Sequence, residues 1–147
     1  MNHYHKNELI KQLKLHEGLE LFPYPCTSKK MTIGVGRNIE DNGISENEAE
    51  FLLDNDINRC IEECTAVFFF FKTLTQIRQR VLIDMCFNLG ISRLMKFPKM
   101  ISALERSDWL EAAKEMLDSD WSKQVGKRSL RLAHYMEFDN TNFEGDL

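Results

Sequence analysis

The chain changes texture once near its start, and that change limits the folds open to it. Over residues 7–17, Leu9, Ile10 and Leu13, with Leu15 beside them, recur at the spacing of one helical face. Asn7 is placed to cap that helix and Gly18 to end it. From 19 to 36 the pattern differs. Residues 19–22 alternate, two prolines flank Tyr24, and 31–36 sets β-branched residues among glycines, which predicts a small hairpin or sheet. A carboxyl group, Glu17, closes the helix, and the strand-like segment behind it carries a thiol, Cys26, and a hydroxyl, Thr32.

The remainder is helical in pattern. Asn42 and Gly43 mark a turn, and Ser45 with Glu48 three positions later forms a capping box that opens a long amphipathic helix from about 46. A break falls near 72–75. The most apolar helix follows over 76–90 and is predicted to be central, with Gly90 as its stop. Short helices come next at 92–96 and 98–106, the latter with Pro98 in its first turn. Ser107 or Asp108 caps 109–119, and a final stretch over 122–136 is broken around Gly126. The fold class is therefore α+β, a small hairpin lobe beside a larger helical lobe.

A chain of 147 residues with 43% hydrophobic content suits one domain, or two small lobes sharing a core. Its net charge of -4 argues against nucleic acid or an anionic membrane surface as a partner, although Lys123, Lys127, Arg128 and Arg131 cluster near an acidic end. The longest apolar run, 66–71, is too short to span a bilayer, so stable membrane insertion is not expected. The polar start lacks the apolar stretch of a signal peptide, which predicts a product of the cytoplasm. Cys26, Cys60, Cys64 and Cys86 show no paired metal-knuckle spacing and no histidine at a matching interval. They are expected to be reduced thiols, with the last three as core filler and no metal bound. Trp109 and Trp121 are expected as core anchors. The run Phe68, Phe69, Phe70 and Phe71 is expected in the core with two rings partly exposed.

Glu17, Cys26 and Thr32 are the residues with chemistry to offer. An acid on one side of a cleft and water-handling groups on the other suit glycoside hydrolysis. Five motifs occur in order around them: HEG at 16–18, TIGVGR at 32–37, EAEFLLDNDI at 48–57, FNLG at 87–90 and WSKQVGKR at 121–128. Together with the spacing Glu17-x8-Cys26-x5-Thr32, they give residues 7–135 a close resemblance to T-even-type phage lysozymes, the glycoside hydrolase family 24 endolysins. The insertion between hairpin and long helix is shorter here than in that type.

The resemblance implies a single lysozyme-like domain over 1–147. It comprises a hairpin lobe at 18–45, a connecting helix at 46–68, a helical lobe at 69–136 packed with helix 7–17, and an acidic tail at 137–147. It implies an N-acetylmuramidase without cofactor that cleaves the β-1,4 bond between N-acetylmuramic acid and N-acetylglucosamine in peptidoglycan and so lyses the host cell. Glu17 would then be the general acid, Cys26 would stand where many members have aspartate, and Thr32 would help hold the attacking water. Arg128 would be the cationic partner of Glu17, Asn88 a cleft-lining amide, and Arg37 with Asp56 an ion pair bracing the hairpin lobe. A monomer is implied, reaching the wall in the periplasm once a separate pore-forming protein has opened the membrane.

The chemistry sets conditions on these roles. The leaving oxygen needs a proton as its bond breaks, and the C-terminal end of a helix favours a protonated carboxyl. A free thiol with a pKa near ~8.5 is mostly neutral at pH 7 and a weak acceptor. Cys26 can act as a thiolate that activates water, as a nucleophile on the anomeric carbon, or as a placeholder beside Thr32. The inverting chemistry implied by the resemblance favours water handling. The rival is a wall-binding homologue that kept the cleft and lost its base at Cys26. A helical nucleic-acid-binding module built on the basic C-terminal stretch runs against the net charge.

Overall fold

Asn2 opens the first helix, in place of the expected Asn7. In the computed structural model, which describes residues 1–146, α1 spans His3–Glu17. The Asn2 side chain accepts the His5 N–H at 2.9 Å, while Asn7 lies inside the helix, its amide 3.1 Å from the His3 ring. A polar side chain one step before the first turn outcompetes one that must leave the helix to cap it. Gly18, with φ +77°, ends α1 and bonds back to the Lys14 carbonyl at 3.0 Å. Leu9, Ile10 and Leu13 lie on α1 as expected, with Leu15 more exposed than they are, yet no residue of the helix is buried.

Three antiparallel strands follow in chain order: β1 Glu20–Pro25, β2 Met31–Gly34 and β3 Arg37–Asn38. Tyr24 pairs with Thr32 and Pro25 with Met31, and Thr32 in turn faces Asn38. The β1–β2 turn closes with two backbone bonds, Lys29 N–H to the Cys26 carbonyl and Cys26 N–H to the Lys30 carbonyl, at 2.8 and 2.9 Å. Its left-handed position is Lys29, φ +62°, where glycine would be the ordinary choice. A short α2, Ile39–Asn42, is capped by Asn38 and tied to the turn by Lys30, whose ammonium reaches Glu40 and Asp41 at 3.2 and 3.3 Å.

The predicted capping box opens α3, Glu46–Val67: the Ser45 hydroxyl accepts the Glu48 N–H at 3.1 Å, and the Glu48 carboxylate accepts the Ser45 N–H at 2.8 Å. The chain packs as two units, Met1–Phe51 and Leu52 onward, and α3 runs from one into the other. This is the expected α+β class, a small antiparallel lobe joined through a long helix to a larger helical lobe.

The second unit holds α4 Gln76–Leu89, α5 Ile91–Leu94, α6 Pro98–Glu105, α7 Trp109–Leu117, α8 Asp120–Val125 and α9 Lys127–Phe138. Asp108, rather than Ser107, caps α7 through the Glu111 N–H, and Gly126 separates α8 from α9. As predicted from its composition, α4 is central, with Val81, Leu82, Met85 and Cys86 inside the core beside Leu94, Met100, Leu104, Met116 and Met136. Of the phenylalanine run, three rings are buried and only Phe69 is exposed, one ring fewer than expected. Glu137 and Phe138 of the expected acidic tail complete α9, and Leu147 lies outside the described residues. No helix among the described residues is long and apolar enough to cross a membrane.

Candidate active site

Glu17 is the last residue of α1, so its direction is set by where that helix stops. Its carboxyl lies against the β2–β3 turn. A Cβ on Gly36 would stand 3.0 Å from Oε2 and 3.1 Å from Cδ of Glu17. Gly36 also has φ +68°, in the left-handed region, so both its backbone and its missing side chain are required there. The TIGVGR motif thus supplies the surface on which the Glu17 carboxyl rests.

Cys26 follows the last residue of β1 and is half-buried in the β1–β2 turn. The turn surrounds its sulfur with donors. Ser28 Oγ is 3.0 Å from Sγ, and the thiol is lowered from an ordinary 9.0 to about 7. The Ser28 hydroxyl contributes most, followed by the backbone N–H groups of Lys30 and Ser28; partial burial pushes the other way, and the Thr32 hydroxyl adds a little. A thiol with that pKa is about half thiolate at neutral pH.

Thr32, in the middle of β2, is the only buried residue of the first unit among the described residues. Its hydroxyl donates to the Lys30 carbonyl at 2.9 Å. With one proton to give, that hydroxyl can serve the carbonyl or the Cys26 sulfur, so ionisation of the thiol invites it to turn. Cys26 and Thr32 are therefore brought together. Ser28 has the largest influence on Cys26 and sequence reasoning missed it; a serine two positions after the thiol, in a turn, was the available signal.

Arg37 and Asp56, expected as an ion pair, each hold a partner within their own unit. The Arg37 guanidinium binds Glu48 with two bonds, 3.0 and 2.7 Å, and donates to the Gly43 carbonyl at 3.3 Å. Asp56 pairs instead with Arg59, three residues along α3, at 3.2 Å. A fork-to-fork contact with a carboxylate already fixed by the capping box costs little further ordering, which favours Glu48 as the partner. The brace of the small lobe is thus Arg37–Glu48.

The two expected support residues in the second unit are each held locally. Asn88 Oδ1 accepts the indole N–H of the buried Trp121 at 2.8 Å, which fixes the amide orientation. Arg128 donates from Nε and Nη2 to one oxygen of Asp84, at 2.8 and 2.6 Å. Asp84 is the partner sequence reasoning did not name. Trp109 lies under the guanidinium of Arg78, 4.0 Å from its ring centre, and is packed against the core as predicted.

Comparison with known proteins agrees with the motif order. The chain is 29% identical to probable T4-type lysozyme 1 of Dictyostelium discoideum, over 88% of this chain and 94% of that protein. It is also 29% identical to probable T4-type lysozyme 2 of the same organism, over 89% and 94%. A third relative, the pre-baseplate central spike protein Gp5 of Enterobacteria phage T4, is 31% identical over 71% of this chain but only 19% of its own length. The phage lysozyme profile matches residues 14–134, which take in Glu17, Cys26, Thr32 and the helices that follow, and the chain belongs to the phage lysozyme family.

Proposed function

We propose that this protein is an endolysin that hydrolyses the β-1,4 bond between N-acetylmuramic acid and N-acetylglucosamine in peptidoglycan. Family membership supports hydrolysis of the wall, and the hydroxyl and N–H donors gathered around Cys26 carry the mechanistic reading.

Glu17 gives its proton to the departing glycosidic oxygen as the bond breaks. Water attacks the anomeric carbon from the opposite face, Cys26 thiolate takes the proton from that water, and the Thr32 hydroxyl orients it. The cycle leaves a Glu17 carboxylate and a Cys26 thiol, which exchange protons with solvent before the next turnover. Cys26→Asp should then retain activity, whereas a sulfur nucleophile would not survive that change. Asn88 and Arg128 are retained as substrate support on the strength of the family resemblance. By the same resemblance the protein acts as a monomer, without cofactor, on a wall reached after a separate protein has opened the membrane.

Mass analysis of digested sacculi tests the reading. New reducing muramic ends from the native protein, and none from Glu17→Gln, are expected. Products ending in 1,6-anhydromuramic acid would instead indicate a lytic transglycosylase. Sacculus binding without new ends would indicate a wall-binding homologue.

A further inference from the structure

Three of the four cysteines have no part in this chemistry, and they do not lie apart. Cys60, Glu63 and Cys64 fall at i, i+3 and i+4 on α3, so they share one helical face, and Cys86 meets them from α4. Cys60 Sγ, Cys86 Sγ and a carboxylate oxygen of Glu63 all lie within 4.8 Å of one another. Cys60 and Cys86 are almost wholly buried, whereas Glu63 is only partly so.

Apolar packing accounts for the thiols but not for the carboxylate among them. Filler cysteines serve equally well beside an alanine or a valine. A carboxylate turned toward two buried sulfurs gives up hydration for weak S–H donors. A divalent ion would give the same arrangement a purpose. Tetrahedral zinc, with bonds of ~2.3 Å to sulfur and ~2.0 Å to oxygen, separates those two ligand atoms by about 3.5 Å. Cys86 Sγ and Glu63 Oε2 stand 3.5 Å apart. Two sulfurs and one carboxylate oxygen form a ligand set for a thiophilic divalent ion of the zinc class, whereas magnesium and calcium prefer oxygen alone.

We infer that Cys60, Cys86 and Glu63 form a binding site for one thiophilic divalent cation, fastening the second half of α3 to α4. Entry is past the half-exposed Glu63, and a water completes the tetrahedron. Binding forms two metal–sulfur bonds and one metal–oxygen bond, and releases the two thiol protons to the buffer. Cysteine spacing concealed the site because its ligands come from successive turns of one helix and from a second helix, not from a knuckle.

Cobalt(II) is the probe, added to the metal-free full-length protein. One equivalent should produce visible bands of tetrahedral cobalt and a near-ultraviolet thiolate charge-transfer band. Cys86→Ser should cut the charge-transfer band to about half, one of the two thiolates being lost, and Glu63→Gln, at a partly exposed position, should weaken binding tenfold or more. Cys26→Ser should keep both spectra, since that thiol lies in the other unit. Absence of the charge-transfer band in the native protein, its loss in Cys26→Ser, or undiminished affinity in Glu63→Gln would overturn the assignment.

Discussion

The Glu17 carboxyl rests on Gly36, so close that a Cβ there would stand 3.0 Å from Oε2. Gly34, two residues earlier, has nearly the same backbone angle, φ +69° against +68°, but nothing within 4 Å of its Cβ position. The pair separates crowding from strain. Alanine at either site should cost about 1 kcal/mol for a left-handed L-residue. Only Gly36→Ala should also displace the acid, with a loss on the order of 10²-fold in kcat on sacculi. Equal activity losses in the two variants would show that Gly36 serves the turn and not Glu17.

Cys26 should titrate near neutrality. Its rate of alkylation by iodoacetamide should rise with pH about a midpoint of about 7, and Ser28→Ala, which removes the strongest donor, should move that midpoint up toward 9.0. Because the folded value lies below the ordinary one, the associated stability is present above pH 9.0 and fades as pH falls through about 7. Hydrolysis should therefore climb across pH 7 on its acid side. A midpoint at 9 in the native protein would leave Cys26 without the donors assigned to it.

The parts of this molecule that were legible in the sequence are those decided within a turn or two of chain. Ser45 and Glu48, Gly18 and Gly90 each act on neighbours three or four residues away, and each does so here, while Pro98 sits in the first turn of its helix. The β1–β2 turn concealed itself by using Lys29 where a glycine would have marked the left-handed residue. Glu17, Cys26 and Thr32 could be placed by motif, but their support could not. Gly36, Ser28 and the Arg37–Glu48 pair depend on how α1, the sheet and the start of α3 are folded together. Side chains that answer to distant partners leave no periodic trace.

Glu48 links two devices, and its titration should report both. Its carboxyl is lowered from 4.5 to about 2, chiefly by the Arg37 guanidinium and next by the Ser45 N–H. The stability it contributes is present above pH 4.5 and is lost as pH falls through about 2. Followed by NMR, the Glu48 carboxyl in Arg37→Met should return most of the way toward 4.5. High salt should move the native midpoint in the same direction, because the pair is exposed. A midpoint unchanged by Arg37→Met would show that the cap alone holds the charge.

Arg78 of α4 closes the end of α9. It is 7% exposed, with Nε donating to the Met136 carbonyl at 2.8 Å and Nη2 to the Glu137 carbonyl at 3.0 Å. Those carbonyls belong to the last turn of α9, which has no helical donors of its own. Asp139 sits 3.7 Å from the guanidinium, and the Trp109 ring lies beneath it. Arg78→Met preserves the apolar stem but strands both carbonyls, at roughly 2–4 kcal/mol of unfolding free energy in urea. Arg78→Lys should recover only part of this, since a point donor cannot reproduce the fork. A methionine variant within about 0.5 kcal/mol of the native protein, the range of an ordinary surface change, would mean that water replaces the guanidinium at the end of α9.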